Sequence, residues 1–232
     1  MVKILPYDPK VEIFWATPNP ASVVSRAAEN TMKGIFAKEK VNKANISAFL
    51  YKANHGSPLE HAVISFEVTQ ISRACLDQLV RHRMGSFTSS SQHYQDHRDY
   101  PMRMSRTMAE FANQGSSYGD LMETLISEYG WALDNEEPKE DARMLLPMAT
   151  EVRVIWTVNA RSLANFINLR TCRRNVMEML LLATRVDKLA RGWFPELFNN
   201  VGPDCTQPWV LCRQGKMRCD FFNRIAEMKQ YG

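Results

Sequence analysis

The amino-acid sequence predicts a single α+β domain. Two segments have the composition or alternating pattern of strands, while several others repeat apolar residues every three or four positions, as amphipathic helices do. The chain contains no internal repeat, low-complexity tract or linker that would divide it. With 232 residues, 45% of them apolar, it can bury one sizeable core or two small ones.

Two helices and a strand are predicted in the first third of the chain. The helices occupy residues 21–39 and 44–56, and Gly56 is expected to end the second one in a left-handed conformation. The strand occupies residues 62–70, where every second residue is apolar and polar residues stand mostly between them. Its buried face is predicted to consist of Ala62, Ile64, Phe66 and Val68.

A third helix is predicted from the four-residue spacing of Ile71, Cys75 and Leu79. It is expected to continue to Arg81, and Gly85 can end it.

The second half of the chain is predicted to contain two helical segments and one strand. A charged, methionine-rich segment is expected to be helical from about Asp120 to Leu133, and a long helical pattern runs from Arg161 to about Arg191. Between them lies a strand of β-branched and aromatic residues. It contains Val152, Val154, Ile155 and Trp156.

The composition favours a cytoplasmic protein that binds small anions. The net charge of +4 is too weak to indicate nucleic acid, because 25 acidic residues dilute 29 basic ones, and a nucleic-acid-binding module is therefore a remote alternative. No apolar run reaches the roughly 18 residues of a membrane span. Pro6, Asp8 and Pro9 interrupt any signal-peptide core, and five cysteines without an export signal suggest a reducing compartment.

A basic triplet, Arg81, His82 and Arg83, is followed by a hydroxyl-rich run over residues 86–91. Cations near the end of a helix complement its dipole, so the triplet can be purely structural. A loop dense in hydroxyl and backbone N–H groups can instead surround an anion, with Gln78 one helical turn before the first arginine. The pattern leaves both interpretations open.

A second polar cluster lies in the segment "TVNARSLANFINLRTCRRN". Arg170 continues an apolar helical stripe, and a buried guanidinium needs an anion or a carboxylate. The stripe consists of Leu163, Phe166 and Ile167. The other face carries groups that can hydrogen-bond a heteroaromatic edge such as a flavin or a pyrimidine, although an exposed polar face with one internal salt bridge would look the same. They are Arg161, Asn165, Asn168 and Cys172.

Arg143 precedes a proline and is expected to present its guanidinium from a loop.

Taken together, these segments resemble the flavin-dependent thymidylate synthase family. The family signature is Arg-His-Arg, seven residues, then Ser, and here it runs from Arg81 to Ser91. The blocks "HGSPLEH", "SRACLDQLVRHR", "ARMLLP" and "WTVNARSLANFINLR" also resemble the family's blocks, in the family's order, over most of residues 50–190. The resemblance implies one family-like domain over residues 1–232 with a mainly antiparallel sheet and long flanking helices. It also implies a homotetramer with FAD in active sites between subunits.

The implied reaction is reductive methylation of dUMP at uracil C5, with methylenetetrahydrofolate as carbon donor and NADPH as reductant of the flavin. The resemblance assigns residues to the flavin: His55, Ser57, Glu60, Arg81, His82, Arg83, Asn159, Arg161 and Asn165. It assigns others to the nucleotide: Gln78, Ser91, Gln92, His93, Tyr94, Arg143 and Arg170. Arg143 is expected to come from a neighbouring subunit. The catalytic roles fall to Arg170, which would stabilise charge on the uracil oxygens, and Ser91, which would position the substrate.

The chain departs from the family beside the signature serine. After the signature serine the family usually has one variable residue, then Arg, then Tyr, whereas this chain has Gln92, His93 and Tyr94. In the loop before the serine, Ser89 stands where an acidic or amide residue is common. Imidazole is shorter than guanidinium and only partly charged near neutral pH. Three functions remain open: a thymidylate synthase that tolerates His93, a methylase of UMP, whose ribose adds a 2′-hydroxyl, and a flavin-binding relative that methylates nothing.

The C-terminal extension, from about residue 200 to 232, contains regularly spaced cysteines. Cys205, Cys212 and Cys219 are each seven residues apart, and Cys172 can join them. Four thiolates can bind structural Zn²⁺, but the Cys-x-x-Cys spacing of zinc knuckles is missing, so reduced thiols without metal are the more economical prediction. Cys75 is expected to lie in the core.

Overall fold

The structure is a computed structural model, and it describes residues 2–32, 46–206, 212, 214–217 and 219. The chain divides into two compact units that are interleaved in sequence. Unit 1 consists of Met1–Phe14 and Ser65–Thr157, and unit 2 of Trp15–Ile64 and Val158–Gly232. Since the chain enters each unit twice, neither is a continuous sequence domain. One family-like domain over residues 1–232 stays a prediction.

The predicted α+β class is confirmed. The strands are β1 (Ile4–Pro6), β2 (Lys10–Ala16), β3 (Val63–Ser72), β4 (Gly85–Ser89), β5 (Met102–Met104) and β6 (Glu151–Asn159). The α-helices are α1 (Pro20–Met32), α2 (Ile46–Lys52), α3 (Arg73–Leu79), α4 (Arg106–Asn113), α5 (Ser117–Asp134), α6 (Lys139–Ala142), α7 (Ala160–Arg170), α8 (Met177–Trp193) and α9 (Pro195–Phe198). Short 3-10 helices span Ser57–His61, Arg143–Leu145, Asp204–Thr206 and Gly215–Met217.

The larger sheet has the strand order β2-β3-β6-β4. Strands β3 and β6 are antiparallel: the Ser65 and Thr157 hydroxyls lie 2.7 Å apart, while at the other end the Arg73 N–H donates to the Thr150 carbonyl at 3.0 Å. A second, two-stranded sheet pairs β1 with β5 in parallel, with Ile4 opposite Met102. The predicted mainly antiparallel sheet is therefore present.

The strand predicted over residues 62–70 buries the face that its sequence indicates, and the second predicted strand is β6. Ala62, Ile64, Phe66 and Val68 are all 0% exposed. In β6 burial alternates along the strand, because successive side chains point to opposite faces. The buried residues of β6 are Val152, Val154, Trp156 and Val158.

The core of unit 1 has a second part beneath the two-stranded sheet. There β1 and β5 pack with the apolar faces of α4 and α5, and the cluster is rich in methionine, an unbranched side chain that fills irregular gaps. Its buried members are Ile4, Met102, Met104, Ala109, Ala112, Met122 and Ile126.

Unit 2 is mainly helical. Helix α7 begins where β6 ends, and the Asn159 side-chain oxygen caps it by accepting from the Ser162 N–H at 2.9 Å. Its predicted apolar stripe, Leu163, Phe166 and Ile167, is 0% exposed. Helices α7 and α8 pack against each other, so the stripe joins the buried face of α8. That face contains Met179, Leu182, Ala183 and Val186.

The helix predicted to carry the basic triplet is shorter than expected. Ile71 belongs to β3, and α3 starts only after Ser72, whose hydroxyl caps it by accepting from the Cys75 N–H at 3.0 Å. The helix ends at Leu79, so Arg81 lies in a turn beyond it and not on its face. The four-residue spacing gave a wrong start for the helix, because the buried strand residue Ile71 lies four positions before Cys75, the first apolar residue of that spacing in α3.

Gly85 was also predicted wrongly, because it opens β4 and does not end a helix. A β-carbon at this position would lie 2.9 Å from Trp156 Nε1 and 3.1 Å from the Thr157 carbonyl oxygen. Glycine is thus required by close packing against β6 and not by helix termination.

The long helical pattern predicted from Arg161 to about Arg191 is two helices, α7 and α8. Between them, the Asn175 side-chain amide donates to the carbonyls of Leu169, at 2.8 Å, and Cys172, at 3.1 Å. An amide that satisfies carbonyls at a helix end competes with continued helix, which the apolar periodicity alone does not reveal. Cys172 therefore lies beyond the face of α7 on which it was predicted.

The helices predicted near the N-terminus are present in part. Helix α1 covers Pro20–Met32 and α2 covers Ile46–Lys52, and the predicted stretches 33–39 and 44–45 lie outside the described residues. No helix within the described ranges has both the length and the apolarity that crossing a membrane requires.

Substitution of Gly85 by alanine should destabilise the protein by about 1–3 kcal/mol, because the added carbon must displace a buried indole or strand backbone. The matched control is Gly192→Ala in α8, where an added β-carbon meets nothing within 4 Å. That control should be neutral or gain up to about 1 kcal/mol from helix propensity. Urea unfolding of both variants measures the difference, and equal midpoints would contradict the packing account of Gly85.

Candidate functional site

A cavity in unit 2 lies among α2, the loop after it, the Ser57–His61 3-10 helix and α7. Its volume is about 300 Å³. Aliphatic and aromatic side chains line it together with one arginine and three amides, a combination suited to a flat ring with polar edges. The lining residues are Leu50, Tyr51, Asn54, Gly56, Leu59, Arg161, Asn165 and Asn168.

Arg161 crosses the loop at Gly56. Its Nη1 donates to Glu60 Oε1 at 2.7 Å, and both side chains are about half exposed, at 51% and 43%. A β-carbon on Gly56 would lie 2.6 Å from Arg161 Nε, so the glycine provides the space in which the guanidinium lies. Because exposed ion pairs contribute little to stability, this pair serves mainly to orient the arginine beside the cavity.

The predicted left-handed end of α2 exists, but at Asn54 and not at Gly56. Asn54 has φ 57°, whereas Gly56 has φ −81° and ψ −11°. The N–H groups of Asn54 and His55 donate to the carbonyls of Tyr51, at 3.2 Å, and Leu50, at 2.9 Å, which is the Schellman pattern. Asparagine tolerates positive φ better than most residues, so either residue type fitted the sequence pattern.

Unit 2 contains six of the residues that the resemblance assigns to the flavin. Arg161 and Asn165 line the cavity, His55 lies between two lining residues, and Glu60 binds Arg161. Ser57 is exposed at the start of the 3-10 helix. Asn159 is half-buried, and its side-chain oxygen is used to cap α7. Four further lining residues were not predicted as site residues: Leu50, Tyr51, Asn54 and Asn168.

The other three predicted flavin residues belong to unit 1, in the turn after α3. Arg81 and Arg83 are exposed and His82 is half-buried. The His82 N–H donates to the Leu79 carbonyl at 3.1 Å, and the Arg83 N–H to the Arg81 carbonyl at 3.0 Å. The three residues therefore lie in a turn held by backbone hydrogen bonds, not on a helix face. Gln78, at the end of α3, is half-buried.

The signature serine heads a turn over residues 91–95, here called the signature turn. The Ser91 carbonyl accepts from the N–H groups of Tyr94 and Gln95, at 3.3 and 3.0 Å, and its hydroxyl accepts from the His93 N–H at 3.2 Å. Gln92 is buried, whereas Tyr94 is 83% exposed. The turn is thus held by its own backbone, and it exposes the adjacent side chains of His93 and Tyr94.

Helix α6 links the signature turn to Arg143. Lys139 Nζ donates to the Tyr94 carbonyl at 3.0 Å, and His93 Nδ1 lies 3.6 Å from Glu140 Oε2. The half-buried Arg143, which follows α6, donates through Nε to the Glu140 carbonyl at 3.0 Å. Lys139 and Glu140 were not predicted as site residues, because charged residues at the start of a short helix are usually exposed to solvent and have no functional role.

Arg98 fixes the chain just after the signature turn. It donates through Nε to Asp96 Oδ2 and through Nη1 to Asp134 Oδ1, each at 2.8 Å. Burial alone would raise the pKa of Asp96, but hydrogen bonds from the backbone and side chain of Arg98 outweigh it and lower the pKa. Asp96 therefore stays ionised and keeps this anchor at neutral pH.

Arg170 ends α7 in unit 2 and is half-buried. Its Nη1 donates to the Asn175 side-chain oxygen at 3.2 Å, the same asparagine whose amide group binds the carbonyls after α7. The guanidinium therefore lies at the end of the buried stripe but is half-buried, not buried as expected, and its pairing with an anion stays a prediction.

Cys172 and the three cysteines of the C-terminal extension are free and half-buried, and Cys75 is a core residue at 2% exposure. Burial raises the pKa of the Cys205 thiol, and the nearby thiols of Cys219, Cys172 and Cys212 act in the same direction. Among the residues that the structure describes, no three His, Cys, Asp or Glu side chains are arranged to hold a metal ion. Reduced thiols without metal stay the prediction and zinc the alternative, and metal analysis of protein purified without chelator tests them.

The chain is related to proteins of known family. Residues 12–196 match the family described as "Thymidylate synthase complementing protein". A flavin-dependent thymidylate synthase of Geobacter sulfurreducens is 34% identical over 230 residues, covering 95% of this chain and 97% of that protein. One of Clostridium tetani is 34% identical over 245 residues, covering 95% and 96%. The chain therefore belongs to the thymidylate synthase complementing protein family.

A solved structure has the same fold. It is the crystal structure of a UMP/dUMP methylase, PolB, from Streptomyces cacaoi, bound with 5-Br dUMP. The TM-score is 0.71 at 23% sequence identity, and the match covers 85% of this chain and 96% of that chain. The family assigned from the motifs is thus confirmed, and so is its fold.

The loop that borders the cavity should depend on Asn54. Replacement by valine should cost about 1–2 kcal/mol, because a β-branched residue at positive φ is strained. Replacement by glycine, the matched control, should be neutral, since glycine is the commonest residue at this helix position. Thermal and urea unfolding of both variants test this. If Asn54→Val unfolds like Asn54→Gly, the left-handed end is not at this residue.

Proposed function

We propose that the chain is an enzyme that methylates a uracil nucleotide at C5 in a flavin-dependent reaction. The preferred substrate is dUMP, which gives dTMP, with methylenetetrahydrofolate as carbon donor and NADPH as reductant. The observation that carries the proposal is the cavity of unit 2. There Glu60, Arg161 and Asn165, assigned to the flavin from motifs about 100 residues apart, meet beside the same apolar walls.

The cavity suits one part of an FAD molecule. Its apolar walls can take a flat ring, the amides of Asn165 and Asn168 can hydrogen-bond ring edges, and Arg161 supplies positive charge for a phosphate or a carbonyl. The loop at Gly56 is open enough for Arg161 to lie there because no side chain fills it. When bound, FAD would supply the hydride that reduces the transferred one-carbon unit to a methyl group.

The protein's task in this reaction is to position the nucleotide and to stabilise charge. Carbon C5 of uracil is a poor nucleophile until negative charge develops on the ring oxygens. A fixed guanidinium at those oxygens favours that charge, and Arg170, oriented by Asn175, is the residue proposed for this role. Ser91 would offer its hydroxyl to the nucleotide, since no described contact marks it as an activated nucleophile.

A homotetramer with shared active sites is part of the proposal. Large apolar side chains are exposed at or next to predicted site residues of unit 1: Met84 is 69%, Tyr94 83% and Met144 82% exposed. Exposed apolar residues at a functional surface favour coverage by another molecule, and a second copy of the chain can supply it. Arg143 would then serve the active site of a neighbouring subunit. A cytoplasmic location fits the proposed substrates.

UMP is a second candidate substrate, favoured by His93. The imidazole stands where the family usually has an arginine, and its Nδ1 lies 3.6 Å from Glu140, whose carboxylate would compete with a substrate phosphate for it. A shorter side chain turned towards Glu140 leaves more room near the sugar, where a ribose 2′-hydroxyl adds one donor and one acceptor. The PolB protein of the same fold is described as acting on both nucleotides.

The first test is the visible spectrum of the purified protein, followed by anaerobic reduction with NADPH and turnover assays with dUMP and UMP. A yellow protein that NADPH bleaches and that forms methylated nucleotide supports the proposal. A protein that binds FAD but converts neither nucleotide would leave only a flavin-binding relative. Failure to bind FAD would exclude the proposal altogether.

Substitution of Arg161 by methionine should weaken FAD binding about 10- to 100-fold, the value of one or two charge-assisted hydrogen bonds. Arg106→Met is the matched control, because Arg106 is exposed at the start of α4 and lines no part of the cavity. Flavin absorbance per protein and titration of the apoprotein with FAD measure the effect. Equal FAD affinity in the two variants would remove Arg161 from the flavin site.

Substitution of His93 by arginine should shift the preference towards dUMP, by about tenfold in the ratio of kcat/KM values if one hydrogen bond decides it. Glu140→Gln, which keeps His93 but removes the neighbouring charge, serves as the companion variant. Turnover of dUMP and UMP is compared in all three proteins. Identical preferences in wild type and His93→Arg would exclude His93 as the residue that selects the sugar.

A further inference from the structure

His97 is a buried histidine that none of the proposed contacts uses. It is 0% exposed, and within the described structure neither Nδ1 nor Nε2 has a hydrogen-bond partner. Its ring lies against Tyr100, with centroids 4.1 Å apart, and its backbone N–H donates to the Tyr129 hydroxyl at 3.2 Å. Neutral imidazole has one donor and one acceptor, and leaving both unmet in the interior is unfavourable. Phenylalanine would fill the same space without that cost.

The imidazole lies against the signature turn. The Ser91 carbonyl is close enough to raise the pKa of His97 through a hydrogen bond, although that bond does not reach full geometry. The same carbonyl already accepts from the N–H groups of Tyr94 and Gln95. Gln95 in turn accepts from the Tyr100 hydroxyl at 3.0 Å. His97 and Tyr100 therefore support the turn from its buried side.

The charge state of His97 follows from its surroundings. Burial lowers its pKa and outweighs the Ser91 carbonyl and Asp96, which raise it, while Arg73 lowers it further. Tyr100, through its ring, and Tyr129, through its hydroxyl on the His97 backbone N–H, are the two tyrosines that contact this residue. The ring is thus a neutral imidazole with one N–H to donate, since its pKa lies below the ordinary value.

We propose, on the basis of the proposed function, that His97 is a positioning residue for the uracil nucleotide. The imidazole faces the Ser91 carbonyl, and its ring packs on Tyr100, which binds Gln95 of the same turn. From this position it holds the signature turn so that the Ser91 hydroxyl can reach the substrate. It acts on the nucleotide and leaves the flavin untouched.

The test compares His97→Phe, which keeps a buried ring without a donor, with His97→Gln, which keeps an N–H. Wild-type turnover on dUMP and UMP is measured first. We expect His97→Phe to raise the KM of the nucleotide about tenfold, the value of one hydrogen bond, with kcat within about threefold. Flavin content should not change, and His97→Gln should recover most of the affinity. Should the phenylalanine variant fail to fold, His97→Met, which also lacks an N–H, takes its place.

The outcomes separate this proposal from the function on which it rests. A wild-type protein that converts neither nucleotide overturns both. An active wild type whose donor-less variants keep the nucleotide KM overturns the role of His97 alone. So does a glutamine variant as impaired as the phenylalanine variant with the same loss of thermal stability, because His97 would then only fill the core.

Discussion

Two strands run directly into helices, and the rest of the architecture depends on the caps at these junctions. Strand β3 ends at Ser72, whose hydroxyl starts α3, and β6 ends at Asn159, whose amide oxygen starts α7. A cap satisfies N–H groups that would otherwise lack partners, so the helix begins at one fixed residue. From Ser65 onward, strand β3 lies in the same unit as helix α3 with no loop between them, so the buried strand sets where the residues of that helix lie.

Each unit sets the loops that carry its polar groups by backbone contacts, and exposed ion pairs then orient single side chains. In unit 2 the Schellman turn at Asn54 sets the loop that carries Gly56, across which Arg161 lies. In unit 1 the Ser91 carbonyl and the N–H groups of its own turn set the signature turn, and Lys139 binds that turn through a carbonyl. A backbone hydrogen bond does not depend on the rotamer of a side chain, so these bonds hold the Gly56 loop and the signature turn in one arrangement.

The sequence predicted strands better than helix ends. Strand β6 and the buried face of β3 followed from composition or from a period of two, which depends only on local geometry. Helix ends depend on specific side-chain contacts instead. Asn175 divides one predicted helix into two, and Asn54 takes the left-handed position expected at Gly56. The spacing of apolar residues carries no information about these side-chain contacts, so the wrong predictions are found at helix ends.

The sequence by itself determined the α+β class, the two strands and the family, because motifs in a fixed order identify a family without knowledge of where they meet. Only the tertiary structure decided that Glu60 and Arg161, 101 residues apart, form one pair beside a cavity, and that Gly85 is needed for Trp156. It also placed the imidazole of His97 beneath the signature turn. Such contacts depend on which distant surfaces are buried together, and burial is a property of the whole packed chain.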